Sequence, residues 1–233
     1  MFYHWLKSLR RGSDLGVVVR KRRQRAGPRQ RRRARPRRGF REEPLERIRL
    51  ERRLGWIDSL NDHSMCPKLV VTARVGKEDR VKRELEDLLY RLDPSVRVEK
   101  TGYRDVVLVF SAIDQERLFE EIMRRPPYTA SRVIKIDACS KSNADDIVRA
   151  TLDMCGKRLR RDVDRVRVEC IKRGTHVESC RTVEIAVGIS IERMGIAMID
   201  LKSPSRVIKI EIIGDKAYMG IMRPGTDRVH HNF

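Results

Sequence analysis

Between Arg206 and Met222 apolar side chains recur at every second position in two runs on either side of Gly214-Asp215. Two half-buried strands joined by a tight turn satisfy that spacing, and a helix does not. Ile208, Ile210 and Ile212 share one face of the first run, and Ala217, Met219 and Ile221 return along the second. The same period of two appears over Arg165–Lys172, where Val166, Val168 and Cys170 alternate with Arg165, Arg167 and Glu169. A helix is expected over about Ser179–Met194, with Ser179 as its cap and Val183, Ala186, Val187, Ser190 and Met194 on its apolar face. Another short strand is expected over Ala197–Lys202.

The preceding segment is as clearly patterned. Lys68–Val75 reads as a strand, and Lys77–Leu92 as an amphipathic helix with Val81, Leu85, Leu88, Leu89 and Leu92 on one face, ended by Pro94. Val96–Lys100 and Asp105–Ser111 read as antiparallel strands joined by Thr101–Arg104. Asp114 is placed to cap a helix over Gln115–Arg125, where Leu118, Phe119, Ile122 and Met123 face inward until Pro126-Pro127. Arg132–Ala138 is the fourth strand. The order β-α-β-β-α-β is the ferredoxin-like arrangement, two helices on one face of an antiparallel sheet. After a polar link at Ser140–Asn143, with Asn143 or Ser142 as cap, a helix is expected over Ala144–Leu159, burying Ile147, Val148, Leu152, Cys155 and Leu159. The expected fold class is α+β, of the α/β sandwich type. A ferredoxin-like domain spans 66–140, a second αβ domain spans 141–223, and a short polar tail over 224–233 is expected to be solvated.

Charge is unevenly spread. Of the net +20, residues 1–64 contribute 20 Lys/Arg against 7 Asp/Glu, and residues 65–233 contribute 33 against 26. The tract Arg20–Arg38 has almost no apolar side chains and is expected to be disordered; Glu42–Leu60 could form a helix. Met65 stands just before the first strand and is an alternative start for the chain. A strong positive balance favours polyanions without naming one. Charged residues are 37% of the chain, with three Asn and three Gln, a balance that hyperthermophile proteins show. Cys66, Cys139, Cys155, Cys170 and Cys180 are odd in number and lack CxxC spacing. They read as small buried hydrophobes in a reducing cytoplasm. No apolar run is long enough to span a bilayer, and the interrupted start at Phe2–Val19 is not a signal peptide.

Three pieces occur in order: Arg167-Val168-Glu169-Cys170-Ile171-Lys172-Arg173-Gly174-Thr175-His176, the helical stretch Glu184–Gly188, and Ile199-Asp200-Leu201-Lys202-Ser203-Pro204-Ser205-Arg206. Together they resemble a THUMP domain, the tRNA-binding module shared by several tRNA-modifying systems. With the ferredoxin-like domain that commonly precedes such modules, the resemblance covers about Met65 to Arg223 and not the first 64 residues.

No catalytic constellation accompanies it. Only His176 of the five histidines lies within an expected domain, and HExxH, Walker A, GxGxxG after a strand, GxSxG and the zinc-deaminase signature are all absent. In THUMP enzymes, the resemblance implies, catalysis comes from an attached domain of on the order of 100 residues or more. Neither the SGGxDS-type loop nor the D/N-P-P-[YF] pocket is present, and the assigned domains leave no room for another. The expectation is therefore a protein that is not an enzyme, needs no cofactor and binds tRNA. Its resemblance is to the stand-alone THUMP adaptor of the tRNA cytidine N4-acetyltransferase, which implies that enzyme as partner. Alternatives are the RNA-binding subunit of a split thiolating or methylating enzyme, and a general basic RNA-associated protein.

Candidate RNA-binding residues are Lys172, Arg173, Gly174 and His176 in one loop, Arg181 near the next helix N-terminus, and Lys202, Ser203 and Arg206 in a second turn. The resemblance implies that the two loops lie near one another. Lys157, Arg158, Arg160 and Arg161 suit a helix C-terminus, with an RNA contact as the second reading. Aromatics are 5% of residues, so a stacking platform is not evident.

Overall fold

The computed structural model describes residues 66–230. The arm over 1–64, Met65, the helix expected over Glu42–Leu60 and the last three residues lie outside the described residues.

The first layer is built from β1 (Leu69–Ala73), α1 (Glu78–Leu89), β2 (Arg97–Lys100), β3 (Val106–Phe110), α2 (Gln115–Arg124) and β4 (Ala130–Lys135). Its antiparallel sheet has the order β2-β3-β1-β4, the ferredoxin-like topology expected from the pattern. Val81, Leu85 and Leu89 of α1 and Leu118 and Ile122 of α2 pack on Leu69, Val71, Val107 and Val109. Asp114 caps α2 by accepting from the Glu116 and Arg117 amides.

The second layer holds β5 (Ala138–Lys141), α3 (Ala144–Arg158), β6 (Arg165–Arg173), α4 (Cys180–Arg193), β7 (Met198–Ile199), β8 (Arg206–Ile213) and β9 (Lys216–Met222). Its order is β5-β9-β8-β6-β7, with β6 parallel to both β7 and β8. Asn143 and Ser179 cap the two helices through the Asp146 and Arg181 amides. Ile208, Ile210 and Ile212 lie beneath the helices with Ile147, Val183, Val187 and Ile191.

β8 is buried on both faces, beyond what its alternation suggests, because the two sheets pack by their helix-free faces. Val70, Val106 and Ile134 of the first sheet meet Ile213, Tyr218 and Met222 of the second. At the closest approach a Cβ on Gly220 would stand 1.8 Å from the Lys135 carbonyl oxygen, so only glycine lets β9 cross there. Charges are enclosed in the same seam. Arg132 binds Asp227 at 2.9 Å and lies 3.6 Å from Glu211, while Lys209 bridges Glu169 and Asp227.

Five expectations need correction. The fourth strand ends at Lys135, and Ala138–Lys141, expected to be partly strand and partly link, is an edge strand on β9. Its backbone ladder needs no apolar period, which is why the sequence hides it. Met194 is 64% exposed and Ile191 takes the core position, because α4 ends one residue before Met194. The strand expected over Ala197–Lys202 shortens to two residues, since the Asp200 carboxylate bends the chain by accepting from the Lys202 and Ser203 amides. The tail is not merely solvated: Asp227 is buried, Val229 joins the first core, and Arg228 bridges to Arg132 on β4. Finally, four cysteines are paired rather than free, Cys66 with Cys139 and Cys170 with Cys180, at Cα separations of 5.9 and 5.3 Å. Only Cys155 is a free thiol, and burial pushes its pKa up to about 12.

Candidate nucleic-acid interface

The two basic loops do not meet. Arg206 is opposite Val166 at the start of the β6–β8 ladder, and Arg173 is opposite Ile213 at its end. Seven residues of parallel strand separate them, about 23 Å at the usual rise. The expectation of adjacent loops is overturned because β6 and β8 run parallel, which sends the chain after β6 and the chain before β8 to opposite ends of the sheet.

At the first end, cations expected on the surface are partly engaged within the fold. The Lys172 amine donates to the Val177 and Glu178 carbonyls at 2.9 and 2.7 Å, spanning its own loop. Arg173 donates to Glu211 at 2.6 Å, against a carboxylate that is 1% exposed. Burial pushes the Glu211 pKa up, opposed by Arg173, Arg132 and Lys209. Gly174 has φ +114°, and with Gly214 it makes a floor for the Tyr103 ring from the β2–β3 connection. A Cβ on Gly174 would stand 2.7 Å from the Tyr103 hydroxyl. Tyr103 is thus used in packing. His176 and Arg181 are exposed at this end.

The opposite end gathers more free charge. α3 and α4 both finish here, β6 and β8 both begin here, and the Asp200 turn lies beside them. The backbone amides of Ser203 and Lys202, then Arg165, hold the Asp200 carboxyl below its ordinary pKa. Lys202 and Ser203 are exposed on that turn. Arg206 reaches Asp164 only at 3.7 Å, and Arg165 reaches Asp200 only at 3.5 Å. Arg160 and Arg193 are exposed with no ion-pair partner among the described residues. Arg161 lies over Gly195, at the C-terminus of α4. By contrast, Lys157 is held by Asp153 and Arg158 by Asp137, so those two cations are locally neutralised. The helix-end cations were visible in the sequence, whereas Arg165 and Arg193 were missed. Arg165 looked like the polar face of a strand, and Arg193 was not distinguished from the rest of its helix.

This surface offers cations and backbone donors on rigid element ends, chemistry suited to phosphates. Among the described residues no group of three His, Cys, Asp or Glu side chains could hold a metal ion, and no helix is long and apolar enough to cross a membrane.

The chain matches known proteins over this region. An uncharacterized protein of Methanocaldococcus jannaschii, MJ0421, is 27% identical over 154 residues, 66% of this chain and 40% of that protein. The chain therefore spans well under half the length of this curated relative. Among solved structures, PH1313 from Pyrococcus horikoshii aligns with a TM-score of 0.54 at 14% identity, over 67% of this chain and 54% of that one. TrmN from Thermus thermophilus aligns with a TM-score of 0.50 at 24% identity, over 67% and 46%. Residues 141–222 match the THUMP domain family, and this stretch of the chain is a THUMP domain.

Proposed function

We propose that the protein is a non-catalytic tRNA-binding protein that presents the acceptor end of tRNA to a partner modification enzyme, a tRNA cytidine acetyltransferase. One observation carries the reading. Arg160, Arg161, Arg165, Arg193, Lys202 and Arg206 gather at one end of the THUMP domain, where among the described residues the acidic partners are absent or more than 3 Å away. The sequence resemblance supplies tRNA as the polyanion and the acetyltransferase as the partner.

The test is binding of the full chain to tRNA with and without its CCA end across a salt series, alongside the triple variant R160E/K202E/R206E. The reading expects affinity to fall on trimming and to fall further in the variant. Equal, steeply salt-dependent binding to both tRNAs by both proteins would assign the binding to general charge and sink it.

A second reading is favoured by one fact, that the Methanocaldococcus relative extends far beyond the matched part. The chain would then be the RNA-binding part of a larger or split tRNA-modifying enzyme. Co-purification with a catalytic chain in fixed stoichiometry, surviving high salt, distinguishes that assembly from transient delivery.

A further inference from the structure

Residues 174–178, which join β6 to α4, bend without backbone hydrogen bonds of their own. Everything that fastens this loop is a side chain. The Lys172 amine holds the Val177 and Glu178 carbonyls, Arg173 is anchored on Glu211, and Ser179 caps α4. Val177 is buried in the second core, and Cys170 on β6 and Cys180 in the first turn of α4 enclose the whole loop in a disulfide. The disulfide brackets Lys172, Arg173, Gly174 and His176, the four candidates at the end of the ladder away from Arg206.

We propose that Cys170–Cys180 is a reversible redox site that sets the order of this loop, the disulfide holding it closed and the dithiol loosening it. Three observations carry it. Both cysteines are half-buried and within reach of a small reagent, whereas Cys155 is fully buried and inert. Opening the bond loosens Gly174, Thr175 and His176, which lack secondary structure, while Val177 stays in the core and β6 in its ladders to β7 and β8. Cys180 also sits at a helix N-terminus, where unpaired amides favour a thiolate. The Cys66–Cys139 bond differs, since it encloses 73 residues and ties the start of β1 to the second sheet.

The chemistry is thiol–disulfide exchange with a small-molecule disulfide. The Cys180 thiolate attacks one sulfur of the reagent, breaking its S–S bond and releasing one thiolate, which takes up a proton. The Cys170 thiolate then attacks the Cys180 sulfur of the mixed disulfide and expels the second thiol. One protein dithiol and one small disulfide become one protein disulfide and two thiols, and an excess of dithiol reverses the step.

The experiment uses the full chain, first purified without reductant and then titrated with dithiothreitol. Thiols are mapped by alkylation, the loop by tryptic cleavage after Arg173 read on reducing gels, and tRNA affinity in the same samples. Expected are a single free thiol at Cys155 before reduction and cleavage faster by roughly tenfold once Cys170 and Cys180 are reduced. The tRNA affinity should hold steady through the same titration, because the proposed interface lies at the other end of the β6–β8 ladder. C170S/C180S should match the reduced wild type and ignore dithiothreitol, and C66S/C139S should retain the response. Free thiols at both Cys170 and Cys180 in the unreduced protein, or equal cleavage in both states, would overturn the redox site. A several-fold loss of affinity on reduction would place RNA at this loop and sink the interface proposed above. Altered cleavage with no tRNA binding in either state would uphold the redox site and sink the proposed function instead.

Discussion

Arg173 and Arg206 mark the two ends of one parallel ladder, the first opposite Ile213 and the second opposite Val166. Residues about 23 Å apart cannot neutralise the same few phosphates. They also differ in employment, since Arg173 is bound to Glu211 at 2.6 Å and Arg206 touches Asp164 only at 3.7 Å. Replacing Lys202 or Arg206 by Ala is expected to weaken tRNA binding and to lower the slope of log affinity against log salt by somewhat less than one unit per lost phosphate contact. The Arg173→Ala protein should lose stability first. A salt series combined with denaturant melts separates the two, and an unchanged slope for both Lys202→Ala and Arg206→Ala would remove this end from the interface.

Glu211 is the hub of the seam between the sheets. Removing its carboxylate leaves Arg173 without its partner and Arg132 with Asp227 alone. Breaking a buried pair from one side costs about 3–5 kcal/mol, because the surviving charge stays desolvated. Glu211→Ala is expected to fall in that range by urea denaturation, and Glu211→Gln to cost less, since the amide oxygen still accepts from Arg173. Near-neutral melts for Glu211→Ala would mean that the seam is wetter than the burial of this residue implies.

The elements legible in the sequence are those whose side chains meet one core. α1, α2, β6 and β8 follow apolar periods, so their positions and the ferredoxin-like order could be read directly. β5 could not, because Ala138–Lys141 is held by backbone pairing to β9 and carries no apolar stripe. The seam was hidden for a related reason. Lys209 and Glu211 look like the solvent side of an alternating strand, and only packing against the first sheet turns that side inward. The candidate site was half legible. Loop composition marked the cations, but whether Lys172 and Arg173 face solvent depends on Val177, Glu178 and Glu211, contacts that no spacing rule encodes.

The glycines make a paired test of the crossing. Gly220→Ala must displace either β9 or the Lys135 carbonyl, and a clash with rigid backbone is expected to cost about 3 kcal/mol or to block folding. Gly156 lies exposed in α3 with nothing within 4 Å of an added Cβ, so Gly156→Ala should stabilise by about 0.5–1 kcal/mol. Thermal melts of the two variants should move in opposite directions.

The Cys66–Cys139 bond encloses 73 residues of sequence, including all of the first layer. A loop of that length lowers the entropy of the unfolded chain by an amount worth about 4 kcal/mol. C66S/C139S should lose a comparable amount relative to the oxidised protein and little relative to the reduced one. Equal stability of wild type with and without reductant would show that this bond carries none of the load.

Asp93 supplies the pH test. Its side chain accepts from the Ser95 amide and hydroxyl, the Ser111 hydroxyl and the Ala112 amide, tying the end of α1 to the end of β3. Burial opposes its charge, but these donors prevail and hold its pKa down to about 2, against an ordinary 3.8. A carboxyl depressed in the folded state contributes stability that is fully present above the unfolded pKa and is lost as pH falls through the folded one. The relevant window is therefore about pH 4 down to pH 2, and the amount at stake is roughly 2 kcal/mol. Asp93→Asn cannot titrate, so its stability should run flatter than that of wild type across this window while starting lower at neutral pH. Denaturant melts at pH 5, 4, 3 and 2 measure both curves. Parallel curves would mean that other carboxylates govern acid unfolding and that Asp93 is no better paired than a surface acid.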